Sequence, residues 1–296
     1  MTIPHILLAV AVTLIWGTNF VVIKVGLGDF PPLMFATLRF VFSALPWIGF
    51  IKRPNVSWQW LGLYGFCIGG QFGFLFLAIQ SSISPGLASL VVQMQVFFTI
   101  GLSVFLFNER IRVPAMVGMG LAAMGLGLIA FNIDATVTPV GMALVLLAAF
   151  CWGCSNLVVK KASAASIERI DMLGFMVWSS VFAIPPLLIL SLVFEGQSLD
   201  MQSLQSAHLH SWFALAWQVL GNTLFGYAAW NWLLARHQAA TVTPYALMIP
   251  IFGIGASALL LGEALPGWKL GAGLLVLAGL AVITLGGRLA KFGSAA

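Results

Sequence analysis

Nine residues near the start of the chain return in its second half. Trp16-Gly17-Thr18-Asn19-Phe20-Val21-Val22-Ile23-Lys24 is answered 136 positions later by Trp152-Gly153-Cys154-Ser155-Asn156-Leu157-Val158-Val159-Lys160. The chain therefore reads as two related halves of about 145 residues each, and an apolar duplication of that kind points to a membrane transporter built from internal repeats. Other matches keep the register. Leu33, Phe35, Val41, Phe42 and Pro46 recur as Leu173, Phe175, Val181, Phe182 and Pro186, and Gly101, Ser103 and Glu109 as Gly255, Ser257 and Glu263.

Composition excludes a soluble domain. Hydrophobic residues make up 61%, charged residues only 7%, and mean hydropathy is +1.05. A soluble surface needs roughly a quarter of its residues charged, so this chain belongs in a bilayer. Its apolar stretches are too long for barrel strands, which alternate over about ten residues. The expectation is an all-α integral membrane protein whose spans lie near 5–24, 31–51, 58–80, 84–107, 113–131, 138–160, 172–194, 211–235, 239–262 and 266–288. The first of these is read as a retained span, not a cleaved signal. Turn chemistry marks the breaks: Phe30-Pro31-Pro32, Ser84-Pro85-Gly86, Thr138-Pro139 and Leu265-Pro266-Gly267.

Basic residues then set the orientation. With a cytoplasmic N-terminus, Lys52, Arg53, Arg110, Arg112, Lys160, Lys161, Arg169, Arg236, Arg288 and Lys291 face inward, leaving Lys24, Arg39 and Lys269 toward the outside. That positive-inside bias predicts both termini in the cytoplasm and a long external loop from Glu195 to about His210. Five helices per half make the two repeats inverted. The +5 net charge is not a nucleic-acid signal; its placement matters more.

The Trp-Gly-x-Asn-Phe-x-x-x-Lys pattern of helix 1, the glutamates after helices 4 and 9, and the five-plus-five arrangement resemble the EamA family of the drug/metabolite transporter superfamily. The likeness covers essentially the whole chain, with residues 1–135 as the first five-helix repeat and 136–296 as the second. A closer likeness, to bacterial exporters of O-acetylserine and cysteine, rests on residues 16–27, Pro31-Pro32-Leu33-Met34, Leu38-Arg39-Phe40 and the run Gly86 to Gln95. The resemblance implies a multi-pass protein of the bacterial inner membrane that exports a small amino-acid-type substrate by alternating access. It implies no cofactor. One departure stands out: where the family places proline thirteen residues before the helix-4 glutamate, this chain has Val96, while its helix-9 counterpart Pro250 is kept.

Polar groups inside the apolar spans are the candidate site. Arg39 lies about 12 Å along helix 2 and is expected either to meet substrate or a gate, or to snorkel to the headgroups. No acidic residue falls within a span, so the interior is cationic or neutral and suits zwitterionic or anionic cargo. Gln71, Gln93, Gln95 and Asn222 are amides in hydrocarbon, which mark a cavity or glue between helices. Gln93 and Gln95 are about 200° apart on a helix, so one of them is expected to tie helix 4 to a neighbour. Trp16 and Trp152 lie mid-span, where they either wall a site or pack on Gly17 and Gly153. Tyr227, Trp230 and Asn231 share one face of helix 8, and Tyr245 precedes Pro250, a candidate kink in helix 9. With Asn19 of the helix-1 pattern, the candidate substrate-binding set is Trp16, Asn19, Arg39, Gln71, Gln93, Gln95, Trp152, Asn222, Tyr227, Trp230, Asn231 and Tyr245.

Other features read as structural. Glu109 and Glu263 are expected to cap and lock helices 4–5 and 9–10. Gly118-x-Gly120 and Gly271-x-Gly273 are close-packing devices that also offer a face for a homodimer. Cys151-x-x-Cys154, without a second pair, reads as small packing residues and not a metal site. His5, His208, His210 and His237 lie in or near loops without an HExxH pattern, so no catalytic or metal-binding set is expected. Competing classes are a nucleotide-sugar carrier of the same superfamily, which needs more cationic groups than one deep arginine, a membrane enzyme, or a non-transporting scaffold.

Overall fold

The computed structural model describes residues 1–81, 83–107, 113–132, 138–166, 168–236, 242, 245–246 and 248–293. Within them the helices are α1 (Ile3–Gly26), α2 (Pro32–Ala44), α3 (Trp58–Ser81), α4 (Pro85–Val91), α5 (Gln95–Phe107), α6 (Val113–Ala130), α7 (Pro139–Ala165), α8 (Met172–Ser191), α9 (Gln197–Ser206), α10 (Leu209–Ala216), α11 (Tyr227–Arg236), α12 (Met248–Leu261) and α13 (Gly267–Gly293). Among the described residues, five stretches are long and apolar enough to cross a bilayer: Ile3–Gly26, Trp58–Gln80, Pro85–Leu102, Pro139–Ala165 and Met172–Gly196. Pro32–Ala44, Met116–Ile129, Met248–Leu261 and Gly267–Gly279 are shorter apolar helices. Large apolar side chains such as Phe66, Phe105, Leu259 and Leu274 point outward, while Asn19, Arg39, Gln71, Gln93 and Gln218 are buried. Water would not tolerate that surface; lipid does.

Several helices depart from the span pattern. Helix 2 is shorter than 31–51: it ends at Ala44, two residues before Pro46, whose missing N–H breaks the ladder, and the chain runs on in turns to Phe50. Helix 4 is interrupted by a tight 3-10 turn at Val92–Met94, although neither proline nor glycine signals it. Glu195 to His210 is not an open loop, since a π-helical turn at Leu192–Gly196 leads into α9. Pro250 is the third residue of the described α12, a position where a missing N–H costs little. Residues 239–241, 243–244 and 247 of the expected helix 9, and Glu109, lie outside the described residues.

Helix pairings repeat between the halves. α1 packs on α12 as α7 packs on α5, and α3 meets α8 as α2 meets the π-helical stretch Trp217–Gly226. The detail repeats as well. A Cβ on Gly17 would lie 2.5 Å from Phe252 Cβ and 2.7 Å from the Ile249 carbonyl oxygen; on Gly153 it would lie 2.9 Å from Phe98 Cβ and 3.4 Å from the Gln95 carbonyl oxygen. Both glycines thus let backbones approach closely, the usual means of holding apolar helices together in lipid. α6 packs on α13 through Gly279, whose Cβ would lie 2.5 Å from the Gly118 carbonyl oxygen, and through Gly125 against Ala272. Gly118 therefore serves a contact within one chain, and a Cβ on Gly120 would meet none of the described residues.

Distant carboxylates close one end of the bundle. Glu195 accepts the amides of Leu33 and Met34 at 2.7 and 2.9 Å, capping α2. Glu263 accepts the Ser84 hydroxyl and the Gly86 amide (3.1 Å), capping α4, and pairs with buried Lys269 at 3.0 Å. The cap on helix 4 thus comes from the other half of the chain, a different lock from the one expected at helices 9–10. Asp29 accepts the His208 amide and the Ser211 hydroxyl at the start of α10. At the opposite end, Arg53 lies over Trp58, and the Trp178 indole donates to the Ile51 carbonyl at 3.0 Å.

Candidate transport site

The interior is organised around Arg39, which α2 carries into the core with no exposed surface. Its Nη1 donates to Gln218 Oε1 at 2.6 Å; Gln218 Nε2 donates to Asn19 Oδ1 at 2.7 Å, and Asn222 Nδ2 reaches Gln218 Oε1 at 3.4 Å. Four polar residues from three segments thus form one chain of hydrogen bonds. The Phe72 ring stacks on the guanidinium, 3.5 Å from its central carbon, and supplies a cation–π contact. Arg39 Nε and Nη2 meet no acceptor among the described residues. A buried donor left unpaired costs about 1–3 kcal/mol, more when charged, so this arginine is kept at some expense to stability. It does not snorkel.

The local fold explains how Gln218 and Asn222 reach it. Residues Trp217–Gly226 wind as a π-helix, and the Thr223 hydroxyl donates to the Gln218 carbonyl, five residues back, at 2.7 Å. Widened turns of this kind recur at functional sites because they re-aim side chains and free backbone groups. Where the helix tightens again, the Tyr227 amide turns to Thr223 and Leu224, and the Asn222 carbonyl accepts the Trp16 indole at 3.2 Å. Gly226 permits this approach, since a Cβ there would collide with Trp16 Nε1.

A cavity of about 40 Å³ opens beside this chain, lined by Trp16, Asn19, Phe20, Gln71, Phe72, Leu75, Val92, Trp152, Asn222, Tyr227 and Ile249. It has room for a few water molecules, and none of its lining residues is acidic. Gln71 Oε1 meets no donor among the described residues, and Gln93 Nε2 no acceptor. Arg39 sits one layer behind the wall, covered by Phe72 and joined to it through Gln218.

Of the sequence candidates, Trp16, Asn19, Gln71, Trp152, Asn222 and Tyr227 line the cavity. Gln93 is buried beside lining Val92, while Gln95 accepts from Asn156 Nδ2 at 2.9 Å and ties α5 to α7. Trp230 packs on Trp16 with ring centres 5.4 Å apart. Tyr245 stands apart, against Ala9, Leu233 and Val242, and the Asn231 side chain lies outside the described residues. The sequence reading missed Gln218, one turn before Asn222 on the same helix, and Phe72, beside Gln71. Both neighbours were in view; an amide next to Trp217 and one phenylalanine among 23 carried no separate signal.

Comparison with known proteins is consistent along the length of the chain. A model of the EamA-like transporter family matches residues 3–131 and 139–285. A Salmonella typhimurium protein named "Probable amino-acid metabolite efflux pump" is 40% identical over 287 residues, 96% of each chain. The Escherichia coli K12 protein of the same name is 39% identical over 287 residues, again 96% of each. The Bacillus subtilis "Uncharacterized transporter YoaV" is 30% identical over 257 residues, 83% of this chain and 84% of that one. A solved crystal structure shares the fold with a TM-score of 0.64 at 16% identity, covering 98% of this chain and 100% of that one. With both halves matched, this chain belongs to the EamA-like transporter family, a multi-pass membrane transporter and not an enzyme.

Proposed function

We propose that the protein is an inner-membrane exporter of small amino-acid metabolites, working by alternating access around the Arg39 cavity. One observation carries the reading: a fully buried arginine with two unpaired nitrogens lies behind a cavity whose lining has no acid. A substrate carboxylate supplies the missing acceptor once the Phe72 ring moves aside, and the unpaired Gln71 Oε1 suits the ammonium of the same zwitterion. Trp16, Trp152 and Tyr227 then wall the side chain. The export direction and cargo class draw on the names of the Salmonella and Escherichia relatives. Counterflow of labelled cysteine and O-acetylserine in inverted vesicles tests it; no transport of any zwitterionic amino acid by folded protein refutes it.

The membrane arrangement we favour is ten spans in two inverted five-helix repeats, with both termini cytoplasmic. The repeated helix pairings and the paired Gly17 and Gly153 contacts support the duplication, and the basic residues support the orientation. In a cysteine-free background, cysteines introduced at Ser198 and Ser294 should label from outside and inside respectively. Labelling of both from one side rejects this arrangement.

A further inference from the structure

The fold brings together three metal-ligating side chains that the cavity does not use. Asp29 leaves α1 on the turn before α2, and His208 and His210 flank the start of α10, 179 and 181 positions later. His208 Nδ1 is 3.1 Å from Asp29 Oδ1, His210 Nε2 is 3.8 Å from Asp29 Oδ2, and all three ligand atoms fall within 4.8 Å of one another. Ligands about 2.1 Å from a tetrahedral zinc ion lie about 3.4 Å apart, so this spacing matches a cation seated between them. The imidazole rings stand stacked, 5.4 Å between centres and 15° between planes, with both nitrogens turned to one carboxylate.

The carboxylate is also held in place from behind. Asp29 Oδ2 accepts the Ser211 hydroxyl at 2.7 Å and the His208 amide at 2.8 Å, which leaves Oδ1 toward the imidazole. Those bonds hold the Asp29 carboxyl below its ordinary value, with the Ser211 hydroxyl the largest cause. Fixing a ligand through its second oxygen is how metal sites orient their carboxylates. Both histidines are open to solvent, with 71% and 58% of their side chains exposed, so a cation reaches them directly and water completes its shell.

We propose that Asp29, His208 and His210 form a surface site for a divalent transition cation of the zinc type, tying the α1–α2 turn to the start of α10. Two nitrogens and one carboxylate favour zinc, nickel or copper over magnesium or calcium. The site stands independently of what the central cavity carries. Zinc chloride titrated into the full-length, tag-free protein in lipid nanodiscs tests it by calorimetry, beside His208→Ala, His210→Ala and the double variant. His208→Ala keeps the backbone amide and Ser211 on Asp29, so α10 stays capped and the variant folds. The expected result is one zinc per wild-type chain, affinity lower by about tenfold or more in each single variant, and loss of the site in the double. Zinc should raise the unfolding temperature of the wild type most and leave that of the double variant unchanged. Equal zinc binding by wild type and double variant, or none by either, overturns the site and leaves Asp29 and His208 as an ion pair only.

Discussion

If Arg39 serves a substrate carboxylate, its charge must stay uncompensated until the substrate arrives, and Gln218→Glu puts that to the test. Gln218 Oε1 already lies 2.6 Å from Arg39 Nη1, so the substitution places a carboxylate there, and the Asn19 amide has only to turn so that its Nδ2 faces the oxygen that replaces Gln218 Nε2. Charge centres about 4 Å apart attract by about 4 kcal/mol at an effective dielectric of 20. Folding should tolerate the change, because the buried cation gains a counter-charge; thermal unfolding in nanodiscs should match or exceed the wild type. Transport should suffer. Loss of one charge-assisted hydrogen bond to the substrate costs about 1.5–3 kcal/mol, or about a tenfold to hundredfold rise in apparent Km. Export of labelled cysteine or O-acetylserine into inverted vesicles across a concentration series reads this directly. A folded Gln218→Glu protein with wild-type Km would refute the carboxylate role and make Arg39 a structural cross-link between α2 and the π-helical stretch.

Arg39→Lys keeps the charge but loses the planar fork, so it should express well and transport poorly in the same vesicles. Gly226→Ala drives a methyl group into the Trp16 indole and should destabilise by about 1–3 kcal/mol, whereas Gly221→Ala, whose Cβ would sit 3.4 Å from Trp217, should unfold like the wild type. Glu263→Gln removes the counter-charge of buried Lys269 and should lower folded yield by size-exclusion chromatography; adding Lys269→Met should recover part of it, since an unpaired buried charge costs more than none. Asp29, held to a pKa of about 2 by Ser211 and the His208 amide, contributes stability above its ordinary value of 3.8 and loses it as pH falls toward 2. The gap in unfolding temperature between wild type and Asp29→Asn should therefore be full at pH 5 and shrink below pH 4.

Much of the fold was written in local chemistry. The turn Ser84-Pro85-Gly86 starts a new helix where expected, although Pro185-Pro186 sit inside α8 without ending it. Thr138 and Asp171 likewise begin α7 and α8 as caps, accepting from Gly141 and Leu173. The interior amides were legible because hydrocarbon penalises them, and six of the twelve candidates line the cavity. What escaped depends on contacts between distant segments. Gln218 gains its meaning from Arg39, 179 positions away. The 3-10 turn at Val92–Met94 has no breaker residue, and the π-helix at Trp217–Gly226 holds only Gly221 and Gly226, which by themselves do not distinguish a π-turn from an α-turn. The Glu263 carboxylate could be recognised as a cap, but the helix it caps lies in the other half of the chain.

That last arrangement bears on the order in which the protein is made. The α2 amides of Leu33 and Met34 wait for Glu195, about 162 residues later, and the α4 amide of Gly86 waits 177 residues for Glu263. A ribosome adding about 5–20 residues per second leaves these helix ends unmatched for roughly ten seconds or more. Through that interval the first half must park them at the water–lipid boundary, where headgroups and solvent can satisfy the exposed donors. These early helices thus cannot be finished by the segment that forms them: they are completed only by carboxylates that emerge much later.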